Sequence, residues 1–350
     1  MKQFFSCFIL FAVLAGCTRD KEDQEISTVI GKGQMPNAAK SNDGNIHLVY
    51  GSGDSILYQL SGDGGTTFSS PSLVGIIPGL YDFATRGPQI ACSDSGVTII
   101  GSDKSGNIFS FLKAGDGTWI KTGKVNDRDT VAKEGLMALG GDGNELFAVW
   151  LDIRGTNSNK IVGAASYNGG KTWQPNKIIY TSPDSVVCAC CKPSVAVKGG
   201  KVYVMFRNWL SGNRDLYLIS SPDGGSNFGE AERLGETSWK LNGCPMDGGA
   251  IVLSEKDKPQ TVWRRHDTIF ACEPGKKEVE IGKGVGCAVE NLDNKNVYAW
   301  NEAGNIICLL PGGVKKMLGK GVIPVIKAVN NKLTCIWEDD GQIYRAQIKI

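Results

Sequence analysis

A short phrase recurs along the chain at an even period: Ser61-Gly-Asp-Gly-Gly-Thr-Thr-Phe68, Ser166-Tyr-Asn-Gly-Gly-Lys-Thr-Trp173 and Ser221-Pro-Asp-Gly-Gly-Ser-Asn-Phe228, with a weaker copy in Ala114-Gly-Asp-Gly-Thr-Trp119. Asp63, Asp116, Asn168 and Asp223 stand 53, 52 and 55 residues apart. A period of that size marks repeated supersecondary units, as in solenoids and propeller blades. The phrase itself reads as a turn: Asp or Asn followed by Gly supplies positive φ, the polar side chain bonds its own turn, and the aromatic packs beneath.

Aligning the chain on this period yields seven units, each with an apolar strand, a Gly or Asn turn and a second strand ending in an apolar or aromatic pair. Those pairs are Val49-Tyr50, Ile99-Ile100, Val149-Trp150, Met205-Phe206, Val262-Trp263, Ala299-Trp300 and Ile336-Trp337. A third strand follows, for example Ile56 to Leu60 and Leu216 to Ser220, and leads into the turn phrase. The 46 glycines and scarcity of heptad-like runs point the same way, to many short strands and turns. The expected fold is all-β: a β-propeller of seven four-stranded blades over residues 26–350, with six blades as the competing count because units five to seven lack a clear turn phrase. The last unit stops after its third strand, whereas Ile26 to Ile30 stands alone before the first unit; it can complete the last blade and close the ring.

The amino terminus begins Met1-Lys2, continues with an apolar run from Phe4 to Leu14, and reaches Leu14-Ala15-Gly16-Cys17. Its charged start, short hydrophobic core and small-residue site resemble a bacterial lipoprotein signal, with residues 1–16 removed and Cys17 lipidated. Residues 17–25 are charged and read as a solvated tether. This resemblance implies an outer-membrane lipoprotein, periplasmic or surface-exposed, that meets the membrane through its anchor only. A net charge of +2 without a basic cluster argues against a nucleic-acid partner.

Alternating strand direction sorts the polar residues by face. Loops between second and third strands share a face with the links between blades, while the turn phrases emerge on the opposite one. That common face collects Arg86, Glu134, Asp152, Arg154, Arg207, Asn208, Arg214, Asp215, Asp247, Arg264 and Arg265. Arg presents a fixed donor fork to carboxylate or sulfate, and paired carboxylates divide the acid and base roles of glycoside cleavage. The same residues can instead bridge neighbouring blades as ion pairs. Glu134, Asp152, Asp215 and Asp247 are the candidate catalytic carboxylates; Arg86, Arg154, Arg207, Asn208, Arg214, Arg264 and Arg265 are the candidate substrate contacts.

The Ser-x-Asp-x-Gly-x-x-Trp/Phe phrase resembles the Asp box, or BNR repeat, of the sialidase and neuraminidase superfamily, which implies a propeller and, as an expectation, an exo-α-sialidase-like glycoside hydrolase. The family uses three Arg for the substrate carboxylate, a Tyr nucleophile paired with Glu, and an Asp acid/base. This chain departs from it in two places. Gln34-Met35-Pro36 stands where the family has its first Arg, and Tyr298 and Tyr344 fall within strand patterns.

Eleven Cys include Cys7 in the leader and Cys17, leaving nine in the body. Cys92, Cys272, Cys287, Cys308 and Cys335 read as small core residues. Cys188, Cys190 and Cys191 differ, because they and Cys244 lie in the links that flank the fourth unit. The cluster reads as a disulfide from Cys244 to one of the three, as a soft-metal site for Cu(I) or Zn(II), or as free thiols; adjacent Cys190 and Cys191 are poorly placed to bridge each other. Apart from that metal, no cofactor is expected. With only His47 and His266 in the chain, a His-rich centre is excluded. The leading expectation is therefore an anchored, sialidase-like propeller whose partner is a carbohydrate or another anionic, hydroxyl-rich ligand. The alternatives are a non-catalytic binding or assembly propeller and a metal or redox factor built on the cysteines.

Overall fold

The computed structural model describes residues 27–184 and 186–350. The leader, Cys17, the tether and Ile26 lie outside the described residues. Seven antiparallel sheets of four strands form the blades, which excludes the six-blade count. Their first strands, Gln34–Lys40, Gln89–Ser93, Met137–Asp142, Ser194–Lys198, Ala250–Leu253, Val285–Leu292 and Val322–Val329, contact one another in sequence, and the last contacts the first. They ring the central channel. Each apolar pair singled out above falls in the second strand of its blade.

The ring closes where expected, shifted by two residues. Thr28–Lys32 forms the outer strand of blade 7 and pairs antiparallel with Gln342–Lys349, Thr28 opposite Arg345 and Lys32 opposite Gln342. An edge that would otherwise offer unpaired N–H and C=O groups is thereby covered.

Between blades the chain buries large apolar side chains, among them Trp150, Trp300 and Trp337, each fully enclosed on a second strand. Truncating any of them to Ala costs about 3–5 kcal/mol in a close-packed core. Cys308 and Cys335 belong to the same packing, filling the seam between blades 6 and 7.

The repeated phrase works as a seal. In each full copy the Ser hydroxyl accepts the second Gly N–H: Gly65 to Ser61 at 2.7 Å, Gly170 to Ser166 and Gly225 to Ser221 at 2.9 Å. The Asp or Asn side chain accepts the N–H four residues on, from Thr67, Thr172 and Asn227. Hydrogen bonds from Asn227 and Ser221 hold the Asp223 carboxyl down at about 2. The second Gly has φ of 84–89° in all three copies, and a Cβ there would fall on Thr334, Thr98 or Phe147 of the preceding blade. Its glycine is thus required twice, by the left-handed backbone and by the neighbour's close approach. Because these turns join third and fourth strands, they lie on the face away from the inter-blade links.

Candidate functional site

On the linking face, the second strand of blade 3, Glu145–Asp152, ends by burying Asp152 completely. Its Oδ2 accepts the Trp150 indole N–H at 2.8 Å, and its Oδ1 accepts the Arg154 main-chain N–H at 2.7 Å. The Arg154 guanidinium lies fork to fork on the same carboxylate and reaches Asp127 at 3.1 Å and Asn176 at 2.9 Å. Every strong donor and acceptor in this knot is occupied from within.

Arg207 ends the second strand of blade 4 and is 2% exposed. Its guanidinium donates to the carbonyls of Asp247 (3.0 Å), Arg214 (2.7 Å) and Arg264 (2.9 Å) and packs over Trp239. Arg264 in turn holds Asp247 Oδ2 at 2.8 Å and the Pro245 carbonyl at 2.6 Å. Arg265 binds Glu278 at 2.8 Å, and Asp215 accepts the Trp239 N–H at 2.8 Å. Asn208 donates to the Tyr180 hydroxyl at 2.8 Å. Arg214 donates to Cys188 Sγ at 3.1 Å and stacks over Trp209. Arg86 bonds the Glu134 carbonyl at 2.6 Å and lies 3.6 Å from its carboxylate.

The structure thus gathers Arg207, Arg214, Arg264 and Asp247 into one cluster. The Asp152–Arg154 and Arg86–Glu134 pairs stay apart from it, with no hydrogen bond or ion pair joining the three groups among the described residues. Each of the six Arg already has an internal partner. Of the eleven candidate Arg, Asn and carboxylate residues, Asp247 alone lines the cavity at the channel mouth.

That cavity, about 260 Å³, is walled by the first strands and the links that feed them. Asn37 donates to Gln89 at 2.7 Å across its rim, and Lys327 pairs with Glu290 at 3.3 Å. Asp247 Oδ2 also accepts the Gly286 N–H at 3.2 Å. Met35, from the Gln34-Met35-Pro36 phrase that lacks the sialidase-like Arg, lines the wall and donates its N–H to Glu338 at 2.8 Å. Lys192 lines the cavity too, and its ammonium meets no hydrogen-bond or ion-pair partner among the described residues. Burial pulls it down to about 8. A single Lys before Pro193 carries no sequence signal, so its importance emerges only once the strands are closed into a ring.

Beside this cavity, Cys190 and Cys244 form a disulfide with their Cα atoms 6.3 Å apart, stapling the links on either side of blade 4. Cys188 Sγ lies 2.9 Å from Cys191 Sγ and 3.6 Å from Cys190 Sγ. The hydrogen bond from Cys191 draws the Cys188 thiol down to about 6 against the effect of burial, helped by the Cys190 N–H and by Arg214. Burial drives Cys191 the other way.

No protein-family model matches the sequence, and no curated protein matches it. The fold has solved counterparts. An α-L-arabinanase of Penicillium chrysogenum, complexed with arabinobiose, is 12% identical with a TM-score of 0.51, over 92% of this chain and 97% of that one. YCF48, solved bound to a D1 peptide, is 13% identical with a TM-score of 0.56, over 93% and 96%. A Dyadobacter fermentans protein of unknown function is 15% identical with a TM-score of 0.52, over 93% and 98%. These likenesses span nearly the whole of each chain, and what they establish for this protein is the seven-bladed β-propeller fold.

Proposed function

We propose that the protein is a binding propeller rather than a hydrolase, and that it takes an anionic, hydroxyl-rich oligosaccharide at the channel mouth while tethered to the cell envelope through Cys17. The carrying observation is Lys192, a residue of the cavity wall whose ammonium has no hydrogen-bond or ion-pair partner among the described residues, while each of the six candidate Arg of the same face is already engaged. Asn37 lines the same cavity, its Nδ2 spent on Gln89, and carries an amide oxygen for a hydroxyl. Hydrolysis by two carboxylates needs a pair about 5 to 9.5 Å apart that is free to reach the substrate. Asp152 is sealed by Arg154 and Trp150, and Asp215 is bonded to the Trp239 main chain. The arabinanase holds arabinobiose on the same fold, which supports a carbohydrate-sized ligand here.

Titration calorimetry with sialyllactose and with oligogalacturonates, against neutral lactose as control, tests the reading. Binding of an acidic sugar that Lys192→Met weakens at least tenfold supports it. Equal binding of neutral and acidic sugars, or turnover of a fluorogenic sialoside that Asp247→Asn abolishes, overturns it. Palmitate labelling lost in Cys17→Ser tests the anchor.

A further inference from the structure

Five sulfur atoms converge where the links flanking blade 4 meet. Cys188, Cys190 and Cys191 are buried, and their Sγ atoms all lie within 4.8 Å of one another. From the other link come Cys244, bonded to Cys190, and Met246, whose Sδ is 3.4 Å from Cys244 Sγ. Cys244 and Met246 are exposed, so the cluster has a buried floor and a solvent-facing lip, both of sulfur.

The number of sulfurs sets this apart from a structural staple. A disulfide alone needs neither the two further thiols pressed against it nor a thioether beside it. Met246 is also held at φ 54°, a left-handed conformation that costs a non-glycine residue about 1–2 kcal/mol. It is 43% exposed, so burial of its side chain does not offset that cost, and the turn that imposes it directs the thioether to Cys244. Other non-glycine residues, Met35 and Ile323 at φ 55° among them, share this left-handed region, so the conformation sets where the thioether points and does not by itself mark the site. Arg214, donating to Cys188 Sγ at 3.1 Å, supplies positive charge beside the cluster.

The geometry points to a redox-gated site for one Cu(I) ion, with Cys188, Cys190 and Cys191 as thiolate ligands and Cys244 and Met246 as the soft lip through which the ion passes. Thiolate and thioether together select Cu(I) over harder ions, and among the described residues no His or carboxylate joins the group of three to favour a different metal. With the disulfide formed, Cys190 is occupied and only two thiols remain. A dithiol reductant delivers two electrons and two protons to the Cys190–Cys244 bond and leaves as its own disulfide, freeing both sulfurs. Cu(I) then replaces the protons of the three ligating thiols, which pass to solvent. The site is separate from the sugar cavity and does not depend on that reading.

The test uses the folded body, reduced with phosphine, desalted without oxygen and titrated with Cu(I) against bathocuproine disulfonate. Native mass spectrometry counts the metal. One Cu(I) per chain withheld from the chelator by the reduced protein and released by the oxidised protein is expected. Cys190→Ser abolishes this retention, and Met246→Leu slows copper uptake about tenfold while leaving the melting curve unchanged. If Cys190→Ser does not fold, the comparison of oxidised with reduced wild type decides. Copper lost to the chelator by the reduced wild type overturns the proposal, as does equal retention by the oxidised form. So does tighter retention of Zn(II), or copper uptake that Met246→Leu leaves unaltered.

Discussion

Arg154 meets Asp152 through two parallel bonds, Nε to Oδ1 and Nη2 to Oδ2, each 2.9 Å long, inside blade 3. With Asp152 fully buried, removing it strands both the guanidinium and the Trp150 indole N–H. Asp152→Ala is expected to cost about 3–5 kcal/mol, read by denaturant unfolding. A change below about 1 kcal/mol would show the carboxylate to be free for chemistry.

One glycine of the turn phrase and one from a blade that lacks it give a paired measurement. Gly225 has φ 87° and a neighbour, Phe147, where a Cβ would go; Gly312 has φ 83° and open space around it. Both Ala substitutions meet the left-handed penalty of about 1–2 kcal/mol, and Gly225→Ala adds about 1–3 kcal/mol of overpacking. Equal losses at the two sites would remove the phrase from its sealing role.

His47 gives stability an acid-sensitive component. Burial, and secondarily the nearby Lys113, lower its pKa to about 4 from 6.5, while the Asp43 carboxylate opposes them. The folded protein keeps the ring neutral, bonded to Tyr58 at 2.7 Å and Ser41 at 3.1 Å, whereas the unfolded chain takes up a proton below 6.5. This contribution is therefore complete above pH 6.5 and falls away as pH drops toward 4, by roughly 3 kcal/mol at most. The difference between wild-type and His47→Gln unfolding curves should flatten above pH 6.5; a difference independent of pH would refute the assignment.

Deleting residues through Lys32 removes the outer strand of blade 7 and bares the edge of Gln342–Lys349. Light scattering should then find more aggregate than in the intact chain, because an open edge strand templates pairing between chains. A monomer with an unaltered melting curve would mean that the closing strand contributes nothing.

Blade number, strand order and the two faces were legible because they follow from period and alternation, which residue types report directly. The competing six-blade count arose where the phrase vanishes: the third-to-outer turn of blade 6 runs through Pro311, Gly312 and Gly313, without the Asp. The interior of the site was less legible. Arg207 is held by three main-chain carbonyls, which no side-chain pattern encodes. Asp152 and Arg154 look like two functional groups when read singly, and become one closed pair only when the strand end turns back. Lys192 gains its meaning from the ring, since its cavity is walled by strands distant in sequence.

The strand that completes blade 7 is the first one described in the chain, and it pairs with the last. As the polypeptide leaves the ribosome amino end first, that segment stays partnerless until Gln342–Lys349 has been made. The ring consequently stays open late into synthesis: a chain halted before Gln342–Lys349 carries one loose end and one open edge, a state that proteases and chaperones can distinguish from the closed ring.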